Sequence, residues 1–182
     1  VPMVVEETSV VAAASNAARM ARQGGGFRTA ILEDLVIGQV EILGVDDKDA
    51  ARAAVLAERE ALVELANTAK PSLVPFGGGC RDLEVRIPHV DGDRVVIHLL
   101  VDCRDAMGAN SVNAMCELVA PRVAELSGGD PGLRILSNLA DRRRVEATVV
   151  VPPEALGHDR WGGERVRDGI VSAYRFADAD PY

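Results

Sequence analysis

The chain has 182 residues, 48% of them hydrophobic, enough to bury a core as one large domain or as one domain with flanking parts. Its net charge of −8 argues against a nucleic-acid-binding surface, because such surfaces neutralise phosphates with clustered Lys and Arg. No apolar run reaches the length needed to span a bilayer, and no segment has the pattern of a signal peptide.

Thr8 or Ser9 is placed to cap a helix over Val10–Gln23, an Ala-rich stretch with Asn16, Arg19 and Arg22 interspersed. Gly24-Gly-Gly26 stops it. Leu35–Leu43 reads as a strand, with Val36, Val40 and Ile42 among its apolar positions. Asp46 caps a long helix through about Ala69, with Ala50, Ala54, Ala57, Ala61 and Leu65 on one stripe, and Pro71 ends it. A hairpin follows: Leu83, Val85 and Ile87 alternate with Glu84 and Arg86, Asp91-Gly92 supplies the turn, and Val95–Val101 returns. After Gly108, Val112, Cys116, Val119, Val123 and Leu126 recur at helical spacing, with Pro121 expected to kink that helix or end its regular part. Leu133–Leu136 gives one more strand. Trp161, Tyr174 and Phe176 surround a last amphipathic helix and read as core.

From Leu35 to about Asn138 the order is strand, helix, strand, strand, helix, strand. That order predicts an α+β fold of the ferredoxin-like kind, βαββαβ, a four-stranded antiparallel sheet with both helices on one face. It is not the alternating order of a doubly wound dinucleotide-binding fold, and no G-x-G-x-x-G is present.

Several residues are candidates for chemistry. Glu6 and Glu7 stand before the first helix, where acidic groups also simply favour the positive end of the dipole. Asp105-Ala-Met-Gly-Ala-Asn110 lies where a strand hands over to a helix, and small residues there let a ligand approach free backbone N–H groups. Such a turn is equally able to be purely structural, and Asn110 to be an ordinary early-helix residue. Gly77-Gly-Gly79 permits close backbone approach or forms a flexible loop. Arg142, Arg143 and Arg144 are either a solvated strand edge or an anion site.

Cys80, Cys103 and Cys116 lack paired metal-ligand spacing. Cys103 and Cys116 read as buried packing residues, whereas Cys80, after three glycines, can be exposed. This usage fits a reducing cytoplasm. His89, His98 and His158 have no metal spacing, and no metal site is expected. His98, alternating within an apolar strand, is expected to be a hydrogen-bonded structural residue.

Five segments together are more specific than any one of them. Glu6-Glu-Thr-Ser-Val-Val-Ala-Ala-Ala-Ser15, Gly77-Gly-Gly-Cys-Arg-Asp82, Asp105-Ala-Met-Gly-Ala-Asn110, Ile135-Leu-Ser-Asn-Leu-Ala-Asp141 and Asp178-Ala-Asp-Pro-Tyr182 stand in one order along the chain. In wording and order they closely resemble the hydroxymethylglutaryl-coenzyme A reductases, above all the bacterial, soluble branch. The resemblance implies interconversion of hydroxymethylglutaryl-CoA with mevalonate and coenzyme A, by two hydride transfers from NAD(P)H. It also implies a homodimer, or a higher oligomer, whose active sites form between subunits.

Carried over residue by residue, the resemblance makes Glu7 the proton donor, with Ser9 and Asn138 at the substrate. Thr8 replaces a Pro common in the bacterial branch. Asp105, Met107, Gly108, Asn110, Gly78 and Gly79 fall at the cofactor site. Lys70, at the end of the long helix, is placed to attract a 2′-phosphate, which favours NADPH. Residues 33–140 would be the small, ferredoxin-like, cofactor-binding domain. It would be inserted between 1–32 and 141–182, two segments of a larger, incomplete α/β substrate domain. The family's catalytic Lys, Asp and His lie beyond Tyr182 and a dimer-forming motif lies before Val1, so the chain reads as an internal piece, inactive by itself. The alternative from another class is a non-catalytic ferredoxin-like binding or assembly module.

Overall fold

The computed structural model describes residues 7–88 and 92–180. Glu6, His89, Asp91 and the closing Pro181-Tyr182 therefore lie outside the described residues. The chain divides into two compact units, Ile31–Arg144 on one hand and Val1–Ala30 with Val145–Tyr182 on the other. It is α+β with antiparallel pairing in its main sheet.

In the Ile31–Arg144 unit, β2 (Val36–Leu43), β3 (Gly79–Arg86), β4 (Arg94–Asp102) and β5 (Asp130–Leu136) form one sheet in the order β3-β4-β2-β5. The register sets Val40 beside Ile97, Ile42 beside Val95 and Leu83 beside Leu99. These side chains share one face, since alternate residues of a strand point the same way. Helices α2 (Lys48–Ala57), α3 (Arg59–Thr68) and α4 (Ala109–Ser127) pack on one another and on that sheet. Ile42, Leu62, Leu83, Ile97, Leu99 and Met115 are fully buried there. Each such side chain contributes about 1.5–3 kcal/mol relative to exposure. Gly38, in mid-strand, lets α4 come close: a Cβ there would lie 2.5 Å from Cys116 Sγ and 2.6 Å from Val112 Cγ1.

Several elements differ from the sequence reading. The long helix is two helices, α2 and α3, meeting at Glu58, whose carboxylate accepts from Arg122 of α4 at 2.8 Å. Its cap is Asp47 rather than Asp46, with Asp47 Oδ1 accepting from Ala50 N at 2.9 Å. The buried stripe is Ala51, Val55, Leu62 and Ala66, rotated from the expected Ala50, Ala54, Ala57, Ala61 and Leu65. Bulk decides this, because burying Val55 and Leu62 removes more apolar area than burying alanines. Helix α4 continues six residues past Pro121, so the proline does not end it.

In the other unit, α1 (Thr8–Gln23), α5 (Pro153–Leu156) and α6 (Gly163–Ala179) are the helices, α5 packing on α1 and α6. Glu7, not Thr8 or Ser9, is the cap residue of α1, without a side-chain capping bond. Ala21 and Ala155 are buried, but Trp161, Tyr174 and Phe176 are exposed, against the expectation that they form core. No residue of α6 is buried among the described residues, and Ile170, Val171, Tyr174 and Phe176 are exposed on it. Strands β1 (Phe27–Asp34) and β6 (Arg143–Val149), which the pattern did not predict, pair as a separate two-stranded sheet.

Candidate functional site

One end of the four-stranded sheet gathers most of the residues singled out in the sequence. Gly79 opens β3 and pairs with Asp102, the last residue of β4. Val101 pairs with Val36 at the start of β2, and Gly38 with Leu136 at the end of β5. The Gly77–Gly79 loop, the Asp105–Asn110 turn and Asn138 therefore leave the sheet at the same end. Asn138 is exposed, next to Ser137, whose N–H donates to Ile37 O at 2.8 Å.

The glycine loop is fixed rather than flexible. Gly78 N donates to Leu73 O at 3.0 Å, and Leu73 N donates to Lys70 O at 3.1 Å, which ties the end of α3 to the loop. Asn67 of α3 holds the strand start by its amide: Nδ2 donates to Cys80 O at 3.0 Å and Oδ1 accepts from Cys80 N at 2.7 Å. Gly78 and Gly79 are buried, and their missing side chains make room for the protein itself. A Cβ on Gly78 would lie 2.9 Å from Asp102 O, and one on Gly79, at φ +106°, would overlap Asn67 Oδ1.

Beyond Asp102 the backbone turns sharply. Arg104 has φ +52° and is the one non-glycine residue at positive φ among those described. Its N–H donates to Asp102 Oδ1 at 3.0 Å. Asp105 and Met107 are exposed, Met107 by 77%, while Gly108, at φ +90°, is buried against Cys103 and caps α4. Asn110 is exposed in the first turn of α4. Asn113, one turn further on, accepts from Leu136 N at 2.8 Å and so joins α4 to the end of β5. An exposed turn feeding a 19-residue helix offers free N–H groups to an acceptor.

The Cys80 thiol, for which the sequence left exposure open, is buried, and burial pushes it up to about 12. Such a thiol carries almost no thiolate at neutral pH and is no nucleophile. Cys103 and Cys116 are buried, and burial raises both thiols, that of Cys116 to about 12. His98 is buried on the opposite face of the sheet, but its Nδ1 has no hydrogen-bond partner among the described residues, contrary to the hydrogen-bonded role expected. Arg142, Arg143 and Arg144 are each paired with carboxylates. Arg142 meets Glu33 at 3.2 Å and also Glu84, Arg143 meets Asp34 at 2.9 Å, and Arg144 meets Glu33 at 3.9 Å.

Glu7 and Ser9 stand in the other unit, exposed at the start of α1. Asn67, Arg81, Asp102, Arg104 and Asn113 carry the geometry of the sheet end and were not singled out as site residues. Arg81 lies inside the Gly-Gly-Gly-Cys-Arg-Asp segment, which was a usable signal. The turn at Arg104 has none, because arginine rarely adopts positive φ.

The family model for hydroxymethylglutaryl-coenzyme A reductase matches residues 1–182. The chain is 48% identical, over its whole length, to the 3-hydroxy-3-methylglutaryl-coenzyme A reductase of Archaeoglobus fulgidus, and covers 41% of that protein. It is 32% identical over 82% of its length to a probable reductase of the same name from Borreliella burgdorferi, covering 34% of it. The class II reductase of Streptococcus pneumoniae, solved bound to NADPH in open conformations, superposes along the whole chain with TM-score 0.92 at 40% identity. The chain covers 44% of that structure, so it spans less than half the length of each relative.

Proposed function

Because the chain belongs to the hydroxymethylglutaryl-coenzyme A reductase family, we propose that it is a segment of an enzyme interconverting hydroxymethylglutaryl-CoA with mevalonate and coenzyme A. The observation that carries this is the whole-chain match, together with the meeting of the glycine loop, the Asp105–Asn110 turn and Asn138 at one sheet end. In this reading residues 33–140 are a ferredoxin-like, cofactor-binding small domain. The strand order β3-β4-β2-β5 and the helices packed on that sheet support it. Residues 1–32 and 141–182 are then parts of a larger substrate domain, and the whole enzyme is a cytoplasmic homodimer or higher oligomer.

NAD(P)H supplies two hydrides to the thioester and then to the aldehyde. The residues present suit a dinucleotide: exposed N–H groups at the start of α4, the apolar Met107 to cover a ring, and cationic side chains beside the loop. Gly108 and Asn110 present backbone and amide groups to it. Asp105 is placed to take a hydroxyl, and Gly78 and Gly79 keep the loop flush with the end of β4. Lys70 stands where a 2′-phosphate gains from a positive charge, which favours NADPH.

Glu7 donates the proton that neutralises the developing alkoxide and Ser9 binds the substrate acid, while Asn138 is a further substrate-binding residue. A donor working near neutral pH needs a carboxyl raised by burial or by a neighbouring carboxylate. Glu7→Gln in the full-length reductase keeps the side chain's shape and removes the proton. Turnover is expected to fall by about 10² to 10⁴ with nucleotide affinity near normal. Turnover close to that of the parent would refute the assignment.

A further inference from the structure

We propose that Arg81 and Arg104 form an anion subsite that holds a phosphate group of the nicotinamide dinucleotide, an inference that rests on the nucleotide reading above. Both guanidiniums converge on the same two acceptors. Nη2 of each donates to Gly77 O, and Nη2 of each lies 3.2 Å from Asp102 Oδ2. Asp102 is 17% exposed in its side chain, Arg81 43% and Arg104 48%, so the carboxylate is covered while the cations stay within reach of solvent.

Three arginines elsewhere in the molecule each gather two carboxylates. Arg122 meets two carboxylates, Glu58 and Glu125; Arg142 meets Glu33 and Glu84; Arg167 meets Glu164 and Asp168. At the sheet end, two arginines share one carboxylate, as Arg142 and Arg144 share Glu33, but neither Arg81 nor Arg104 meets a second carboxylate among the described residues, whereas Arg142 also meets Glu84. Each guanidinium has five N–H donors in a planar fork suited to phosphate oxygens. All four contacts use Nη2, so the Nε and Nη1 donors of both remain open to an anion among the described residues.

The backbone adds an independent observation. Arg104 sits at φ +52°, a conformation that disfavours any residue with a Cβ and that glycine would relieve. An arginine kept in a strained turn points to a requirement for its side chain. A phosphate has two possible sources in the ligand, the pyrophosphate and a ribose 2′-phosphate.

The test uses the full-length reductase carrying this segment, with the variants Arg104→Gly and Arg81→Met. Arg104→Gly removes the guanidinium and relaxes the backbone, so loss of fold does not obscure its effect; Arg81→Met keeps the volume at an unstrained position. KM for NADPH and for NADH is measured at saturating hydroxymethylglutaryl-CoA over a range of ionic strength. Each variant is expected to raise KM about tenfold with kcat within about twofold, and to flatten the rise of KM with salt. A rise for both nucleotides identifies the pyrophosphate, and a rise for NADPH alone identifies the 2′-phosphate. Unchanged KM and salt slope in both variants overturns the proposal, as does a fall in kcat with KM unmoved, the sign of a purely structural clamp. A wild-type enzyme that oxidises neither nucleotide refutes the function proposed above, and this subsite with it.

Discussion

His98 shows how a single buried group makes stability depend on pH. Burial holds its imidazole below the usual histidine range, with the nearby Arg86 adding to the effect. The folded chain therefore takes up a proton at lower pH than the unfolded chain. As pH falls below about 6.5, the ordinary histidine value, the unfolded state is favoured first, and the loss grows until the folded imidazole is also charged. Asp82 works in a different window: the Arg59 guanidinium holds its carboxyl below the usual carboxylate range, and that contribution is lost only in stronger acid. Between pH 7 and 5, the denaturant midpoint of the parent protein should drop more steeply than that of His98→Gln. Parallel slopes would show that His98 is already charged, or solvated, in the folded state.

At the scale of elements, the close approach of α4 to β2 sets a limit on what β2 tolerates. Gly38→Ala brings a methyl within 2.5 Å of Cys116 Sγ and 2.6 Å of Val112 Cγ1, both on the buried side of α4. Overpacking of this kind costs about 1–3 kcal/mol, read as a lower unfolding midpoint at unchanged m-value. The double change Gly38→Ala with Val112→Ala should recover part of it; no recovery would place the strain elsewhere.

The strand and helix order of the main sheet was legible because Val36, Val40 and Ile42, then Leu83 and Val85, alternate with polar residues. The break at Glu58 was not, since neither Gly nor Pro stands there and Arg122 of α4 holds the carboxylate from a distance in sequence. The rotated stripe was hidden by alanines on several faces of α2. Strands β1 and β6 escaped notice although Val145, Ala147 and Val149 alternate with Glu146 and Thr148, and almost every residue of both strands is exposed. Of the candidate site, the small-residue segments were legible. The side chains that fix it, Asn67 and Arg104 among them, were not, because their partners lie far along the chain.

At the scale of the molecule, the two units are unequally built. The Ile31–Arg144 unit buries a continuous core from Val40 to Val123, whereas the other buries Ala21 and Ala155 and exposes Val10, Val150, Ile170, Tyr174 and Phe176. Exposed apolar surface of that extent favours association. The 182-residue chain by itself is expected to oxidise no NAD(P)H with hydroxymethylglutaryl-CoA and to bind a hydrophobic dye. The expectation rests on the chain spanning less than half the length of its relatives, since catalytic groups that act as a unit lose most of their effect when one is missing. Steady turnover by a chain of verified mass would contradict it.

Where the Ile31–Arg144 unit begins and ends, its chain runs beside itself. Leu35 N donates to Arg142 O at 2.9 Å, and Asp34 meets Arg143. To the residues before and after it, the whole unit is thus equivalent to a tight turn, its two ends pinned a strand's width apart. The closure entropy of a loop depends on its length only while the ends are free to separate. Here the unit's own backbone bond and ion pair close it. A longer hairpin or helix within the unit therefore leaves its two attachment points where they are, and the segment behaves as a cassette that can change inside without being re-fitted at its edges.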